Sequence, residues 1–293
     1  MKRILLSLFL LLAVASCAPS GQNASKNPDV VVSIPPYVFL VQEIAGDTLT
    51  VASALGEFFD PHNGEVKPSQ MKMVQNATLF IGVGESYEQK LVNAILSSAN
   101  KVKILEMDQR VPLLSLSQDT RFVDPCSSLK YPKVETKDLH FWLSPSHLVL
   151  QVNVLVEALS ELKPEYKTFY EDNGKVLIEQ IQALNDLLKQ QLLPYEGKAI
   201  MISHAALGYF CHDYHLTQIA IECEGKSPLP KDVEKTLALA KKEEVICAFT
   251  APQFDNKGAE LIAKDLGVPI YSFNPLAEDI LTTLETLGNA IAR

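Results

Sequence analysis

His62, His140 and His204 stand far apart in the chain, yet each falls where an apolar run has just ended or is about to begin. His62 lies in EFFDPHNGEVKPSQ, a stretch broken by Pro and Gly, His140 in KDLHFWLSPSH, and His204 in MISHAALGYF. Three neutral imidazoles from separate parts of one chain are the nitrogen donors that suit Zn²⁺, which takes about four ligands. Asn274, in YSFNPLAED, occupies a comparable position near the end. A metal-binding imidazole needs an acceptor for its other ring nitrogen, and Asp60, Glu65 and Asp138 lie close enough in sequence to serve. His147 follows His140 by seven residues, two helical turns if a helix has begun, and is a lesser candidate. His212 and His215, in CHDYHL, fall late in a helical segment, where a cation complements the helix C-terminus.

The elements that must position these side chains are legible from periodicity. DVVVSI, LTVASAL, ATLFIGVG and KVKILEM read as strands, separated by segments with apolar residues at three- and four-residue intervals. After Gly197 the pattern returns, with KAIMIS, LTQIAIE, VICAFT and VPIYSF as strands. Such alternation predicts an α/β protein of two lobes, each with a four-stranded parallel sheet flanked by helices. Between them, Pro164 divides a region of little strand character into SHLVLQVNVLVEALSELK and a helix over about 165–193. Phe169, Ile181, Leu184, Leu188 and Leu192 form an apolar stripe on that second helix, a backbone of about 45 Å joining the lobes. The expected divisions are 29–145 for the first lobe, 146–196 for the linking helices and 197–293 for the second lobe.

Open parallel sheets bind ligands beyond the carboxyl ends of their strands. His62 follows the second strand of the first lobe. His140 lies between the long loop after the fourth strand and the first linking helix. His204 follows the first strand of the second lobe and is expected to begin its helix, and Asn274 follows that lobe's fourth strand. All four positions therefore face one cleft, with Trp142 expected to pack at the lobe junction. Residues 108–139 have no strong period, and a loop of that length covers something or moves. Gly82 and Gly84 form only a strand-end turn, without the fuller phosphate-binding glycine pattern.

The opening MKRILLSLFLLLAVASC has a basic start, an apolar run too short to span a bilayer, and small residues before Cys17. This is the layout of a secretory signal over 1–16, with Cys17 placed as the acylated first residue of a bacterial lipoprotein and 18–28 as a polar tether. Losing Lys2 and Arg3 removes two positive charges and no acid, so the net charge moves from −9 to −11. Such a balance excludes a phosphate-binding nucleic-acid surface, which needs a basic excess. Cys126, Cys211, Cys223 and Cys247 permit one or two bridges in an exported protein, but the spacing does not fix the pairing. Neither His-Glu-x-x-His nor Gly-x-Ser-x-Gly occurs, so a zinc hydrolase lacks its general base or nucleophile.

With these residues in place, the chain resembles the metal-specific solute-binding lipoproteins of bacterial ABC importers, the zinc and manganese receptors. The likeness covers nearly all of the mature chain: the acylation box, DPHNGEVKPSQ, GESYE, LHFWLSP, SHAALGYF, FTAPQF and the NPL of Asn274. The resemblance implies two α/β lobes joined by a long helix, with metal held between them by His62, His140 and His204. It implies a non-enzymatic receptor, lipid-anchored in the periplasm or at the cell surface, that passes Zn²⁺ to an ABC importer permease. Manganese receptors usually have glutamate at the third place, so His204 favours zinc over Mn²⁺ or iron. The fourth place is often aspartate, and Asn274 departs from that pattern, which leaves water or a nearby carboxylate as the fourth ligand. Many zinc receptors carry a His-rich acidic loop before the second ligand, whereas 108–139 contains no histidine. An adhesin with a merely structural metal site is a further reading of the same scaffold.

Overall fold

The computed structural model describes residues 27–61, 64–115, 122–123, 137–221, 230–254 and 256–293. Cys17, the signal region, His62, Cys126 and Cys223 lie outside them.

In the first lobe, β1 (Val30–Val32), β2 (Val51–Ser53), β3 (Leu79–Gly82) and β4 (Lys103–Glu106) form a parallel sheet in the order β2-β1-β3-β4. Helices α1 (Pro36–Ala45), α2 (Pro68–Gln75) and α3 (Glu88–Leu96) supply the crossovers. β1 is buried throughout, as a β-branched run in a covered parallel sheet should be. Proline at the first turn fixes the start of α1, and Gly46, at φ 52, ends it.

Two linking helices follow, α4 (Pro145–Leu162) and α5 (Lys167–Leu192), separated by a short 3₁₀ turn at Pro164–Tyr166. The buried stripe of α5 runs through Tyr170, Gly174, Leu177, Ile181, Leu184, Leu188 and Leu192. Phe169, expected on this stripe, is instead 43% exposed. The stripe takes its phase from Tyr170, whose hydroxyl lies 2.7 Å from Thr48 Oγ1. Gly174 lets the pair approach closely: a Cβ there would meet Val156 Cγ2 at 2.4 Å.

The second lobe contains β6 (Ala199–Ile202), β7 (Thr217–Ala220), β8 (Val245–Thr250) and β9 (Ile270–Ser272), with α6 (Gly208–Asp213), α7 (Pro230–Lys242), α8 (Lys257–Leu266) and α9 (Ile280–Ile291). The four expected strands follow the same relative order as the first lobe, but a fifth adds to them. β5 (Phe122–Val123), from the long segment after β4, pairs parallel with β7, giving β5-β7-β6-β8-β9. The chain thus reaches across to the second sheet and returns to Lys137, which bridges antiparallel to Ser115. A two-residue strand leaves no periodic trace, so the segment reads as loop in sequence.

Side chains alternate across β6 with the strand period of two. Ile200 and Ile202 face the main core, while Ala199 and Met201 face two smaller clusters that also contain buried residues of α7 and α8. The main cluster continues from β1 and β3 through α4 and α5 into α6, β8 and α9. One apolar interior therefore serves both lobes.

Candidate metal centre

Each sheet has a topological switch point, between β1 and β3 in one and between β6 and β8 in the other. At such points the loops diverge and leave a crevice at the carboxyl ends. The two crevices face each other and enclose one pocket. Ile34 follows β1 and Glu85 follows β3; His204 follows β6, and Gln253 and Phe254 follow β8. His140 and Trp142 enter from the segment before α4.

His140 Nε2 and His204 Nε2 lie 3.1 Å apart. Two nitrogens about 2.0–2.1 Å from one tetrahedral zinc stand roughly 3.3 Å from each other. The pair is therefore spaced as two adjacent vertices of such a site.

The His140 ring is held by Asp138, whose Oδ1 lies 2.8 Å from Nδ1 and also accepts the His140 backbone N–H at 2.9 Å. A proton on Nδ1 donated to that carboxylate leaves the Nε2 lone pair directed at His204. Of the three acceptors suggested by sequence, Asp138 takes this place; Glu65 is exposed. Tyr209 fixes Asp138 in turn, donating its hydroxyl to the Asp138 carbonyl at 2.8 Å and accepting from Leu114 N at 2.8 Å. Behind His140, Gln151 Nε2 donates to the Phe141 carbonyl and Trp142 Nε1 donates to the Pro275 carbonyl. The second contact joins the lobes, as expected for Trp142.

His204 is 6% exposed and stacks on Phe254 with ring centroids 4.4 Å apart. It does not begin a helix. α6 starts four residues later, because Ala206 N turns back to the His204 carbonyl at 2.7 Å and the buried Gln218 side chain takes the Leu207 N–H at 2.6 Å.

Asn274 is engaged at both ends of its amide. Its Oδ1 accepts from Gln253 Nε2 at 2.5 Å and from Leu276 N at 3.0 Å, while its Nδ2 donates to Glu57 Oε2 at 3.4 Å. Glu57 belongs to the first lobe and also accepts from Glu278 N, at 3.3 Å, through Oε1. Its carbonyl accepts from Gln253 Nε2. Asn274 thus sits in a clasp between the lobes beside the pocket.

His147 stays out of the pocket: its Nδ1 lies 3.2 Å from Ser144 Oγ, its ring meets Tyr209 edge-on at 4.6 Å, and burial lowers its pKa. The His212 side chain is 45% exposed at the end of α6, and His215 adopts a positive φ of 55° just beyond it. Cys247 is buried with its thiol pushed up to about 12 by desolvation. Among the described residues, no three His, Cys, Asp or Glu side chains form a group able to hold a metal. The third expected imidazole, His62, is outside that set, although its neighbour Pro61 lines the pocket. Glu85, Gln253 and Tyr209 are the neighbours that sequence reasoning passes over. Glu85 alone carried a usable signal, since it directly follows the turn after β3.

Residues 30–289 match the family described as zinc-uptake complex component A, periplasmic (ZnuA). A putative metal-binding protein of Chlamydia trachomatis is 31% identical over 290 residues, covering 97% of this chain and 98% of its own. The high-affinity zinc uptake system protein ZnuA of Bacillus subtilis is 23% identical, over 97% of this chain and 88% of its own. A crystal structure of ZnuA superposes with a TM-score of 0.79 at 29% identity, covering 90% of this chain and 97% of that one. Because the match runs through both sheets and the helices between them, the chain belongs to the ZnuA family.

Proposed function

We propose that the protein is an extracytoplasmic receptor that captures Zn²⁺ between its lobes and delivers it to the permease of an ABC importer. The observation that carries this reading is the 3.1 Å approach of the His140 and His204 Nε2 atoms, with Asp138 orienting the first. His62 is proposed as the third imidazole and Cys17 as the lipid anchor, both on the family resemblance. Nitrogen donors favour zinc over manganese, which prefers oxygen.

The test is native mass spectrometry and chelator competition on the mature protein, offered Zn²⁺ and Mn²⁺ together. One zinc ion per chain is expected, with its retention lost in His62→Ala, His140→Ala and His204→Ala. Retention of Mn²⁺ against equimolar Zn²⁺ would overturn the zinc assignment. Imidazole binds metal only when deprotonated, so affinity should fall as pH drops past the ordinary histidine value of about 6.5.

A further inference from the structure

The pocket beside His140 and His204 is walled from both lobes: Pro61 comes from the first, and Gln253, Phe254, Pro275 and Leu276 come from the second. The segment that ends at Pro61 is fastened inside its own lobe. Ala54 N donates to the Val32 carbonyl at 2.7 Å and Gln70 Nε2 donates to the Ala54 carbonyl at 2.6 Å. Phe59 packs edge-on against Tyr87, with ring centroids 5.6 Å apart. Between these anchors a turn, closed by Phe59 N donating to the Gly56 carbonyl at 3.0 Å, carries Glu57 across to the second lobe.

Three donors of the second lobe receive Glu57. Gln253 Nε2 donates to its carbonyl, Asn274 Nδ2 donates to its Oε2 at 3.4 Å, and Glu278 N donates to its Oε1 at 3.3 Å. The direction of the Asn274 amide is fixed from its other end. Oδ1 accepts from the Leu276 backbone N–H at 3.0 Å and from Gln253 Nε2 at 2.5 Å, so only the Nδ2 donor is left for Glu57. Glu278 precedes α9, whose N-cap is Asp279, and its N–H therefore lies outside the helical ladder. Each carboxylate oxygen of Glu57 thus faces a donor. Replacing the acid by an amide, or the Asn274 amide by an acid, sets two donors or two acceptors face to face.

We infer that the clasp of Glu57 with Asn274 is a latch on the pocket: it holds the Pro61 side against the second lobe and sets how fast the captured ion enters and leaves. This inference rests on the receptor reading above. The latch joins protein to protein, so loosening it should speed entry and exit together and leave the equilibrium affinity nearly unchanged, whereas loss of a metal ligand changes affinity. It also suits an interior too continuous for the lobes to swing apart, because exchange then needs only a short segment to lift.

The experiment compares wild type, Glu57→Gln, Asn274→Asp, the double variant that carries both changes, and His204→Ala, all as full mature chains. Three readouts are taken: the rate of Zn²⁺ release into excess chelator by stopped flow, Zn²⁺ affinity by chelator competition, and the melting temperature without metal. Each single variant is expected to release zinc roughly 3- to 10-fold faster than wild type. The double variant exchanges the positions of acid and amide at constant net charge, and its release rate should return to that of wild type. Charge alone predicts another pattern, since removing a negative charge at position 57 would speed the loss of a cation and adding one at position 274 would slow it. Single variants that shift in opposite directions, an unchanged rate, or a double variant that stays fast would each overturn the latch. Should a single variant melt below wild type, Glu57→Ala, which removes the carboxylate without opposing like groups, decides by the same rate criterion. If His204→Ala loses zinc while the single variants exchange it at the wild-type rate, the latch fails and the receptor reading stands. If His204→Ala retains zinc as wild type does, the receptor reading fails and the latch falls with it.

Discussion

Asp138 holds the backbone and the ring of His140 through a single oxygen, so the direction of the Nε2 lone pair depends on one carboxylate that is itself buried. Asp138→Asn keeps the shape but offers a weaker acceptor, and zinc affinity should drop by roughly 10- to 100-fold in a chelator competition. Glu88 gives a different prediction. Burial, acting against its hydrogen bonds from Val83 and Gly84, raises its pKa from 4.5 to about 7. Between those values the folded chain holds a proton that the unfolded chain has released, so stability falls as pH rises through the window. Glu88→Gln removes the effect: relative to wild type, the variant should gain on the order of 3 kcal/mol between about pH 4.5 and pH 7, read from denaturant unfolding at several pH values. Much of this scale was legible in the sequence. His204 is visible because it sits at a strand end, His140 because it closes the long segment before a linking helix, and Asp138 because it is two residues from the ring it orients. The role of Asn274 was not legible, since the partners of its amide come from Glu57, more than two hundred residues earlier, and depend on how the lobes meet.

Helix contacts are set by two glycines that differ in what they face. At Gly174 an added methyl group would meet Val156, whose branched side chain has essentially one rotamer in a helix. At Gly288 it would meet Leu188 Cδ2 at 2.2 Å, the far end of a side chain that can turn away. Gly174→Ala should therefore destabilise the protein by about 1–3 kcal/mol despite the better helix propensity of alanine, and Gly288→Ala by less, as measured by thermal or urea unfolding. The existence of α4 and α5 and the break at Pro164 are written in spacing and in one proline. Phe169 and Tyr170 are adjacent aromatics, and the seven-residue step back from Leu177 puts Tyr170 on the buried stripe, where its hydroxyl meets Thr48 Oγ1. β5 is invisible in the sequence: two residues are too few to carry a period.

At the scale of the molecule, the continuous interior through α4 and α5 argues against wide opening. α5 spans about 39 Å and packs on α1 in one lobe and α9 in the other. Metal exchange should then proceed by small shifts of loops and packed helices rather than by a hinge. Small-angle scattering should give indistinguishable radii of gyration with Zn²⁺ and with chelator, and a clear expansion on chelation would refute this. Binding should nonetheless stabilise the fold, by about 2.7 kcal/mol at a free zinc concentration one hundred times the dissociation constant. Calorimetric melting should show that gain in wild type and not in His204→Ala.

The passage of β5 into the far sheet means that the halves of this receptor are not interchangeable parts. A fragment of residues 197–293 would leave one side of β7 with bare N–H and C=O groups, a template for self-association. Hybrids between relatives should stay soluble only when the crossing segment is inherited together with the half whose sheet it completes.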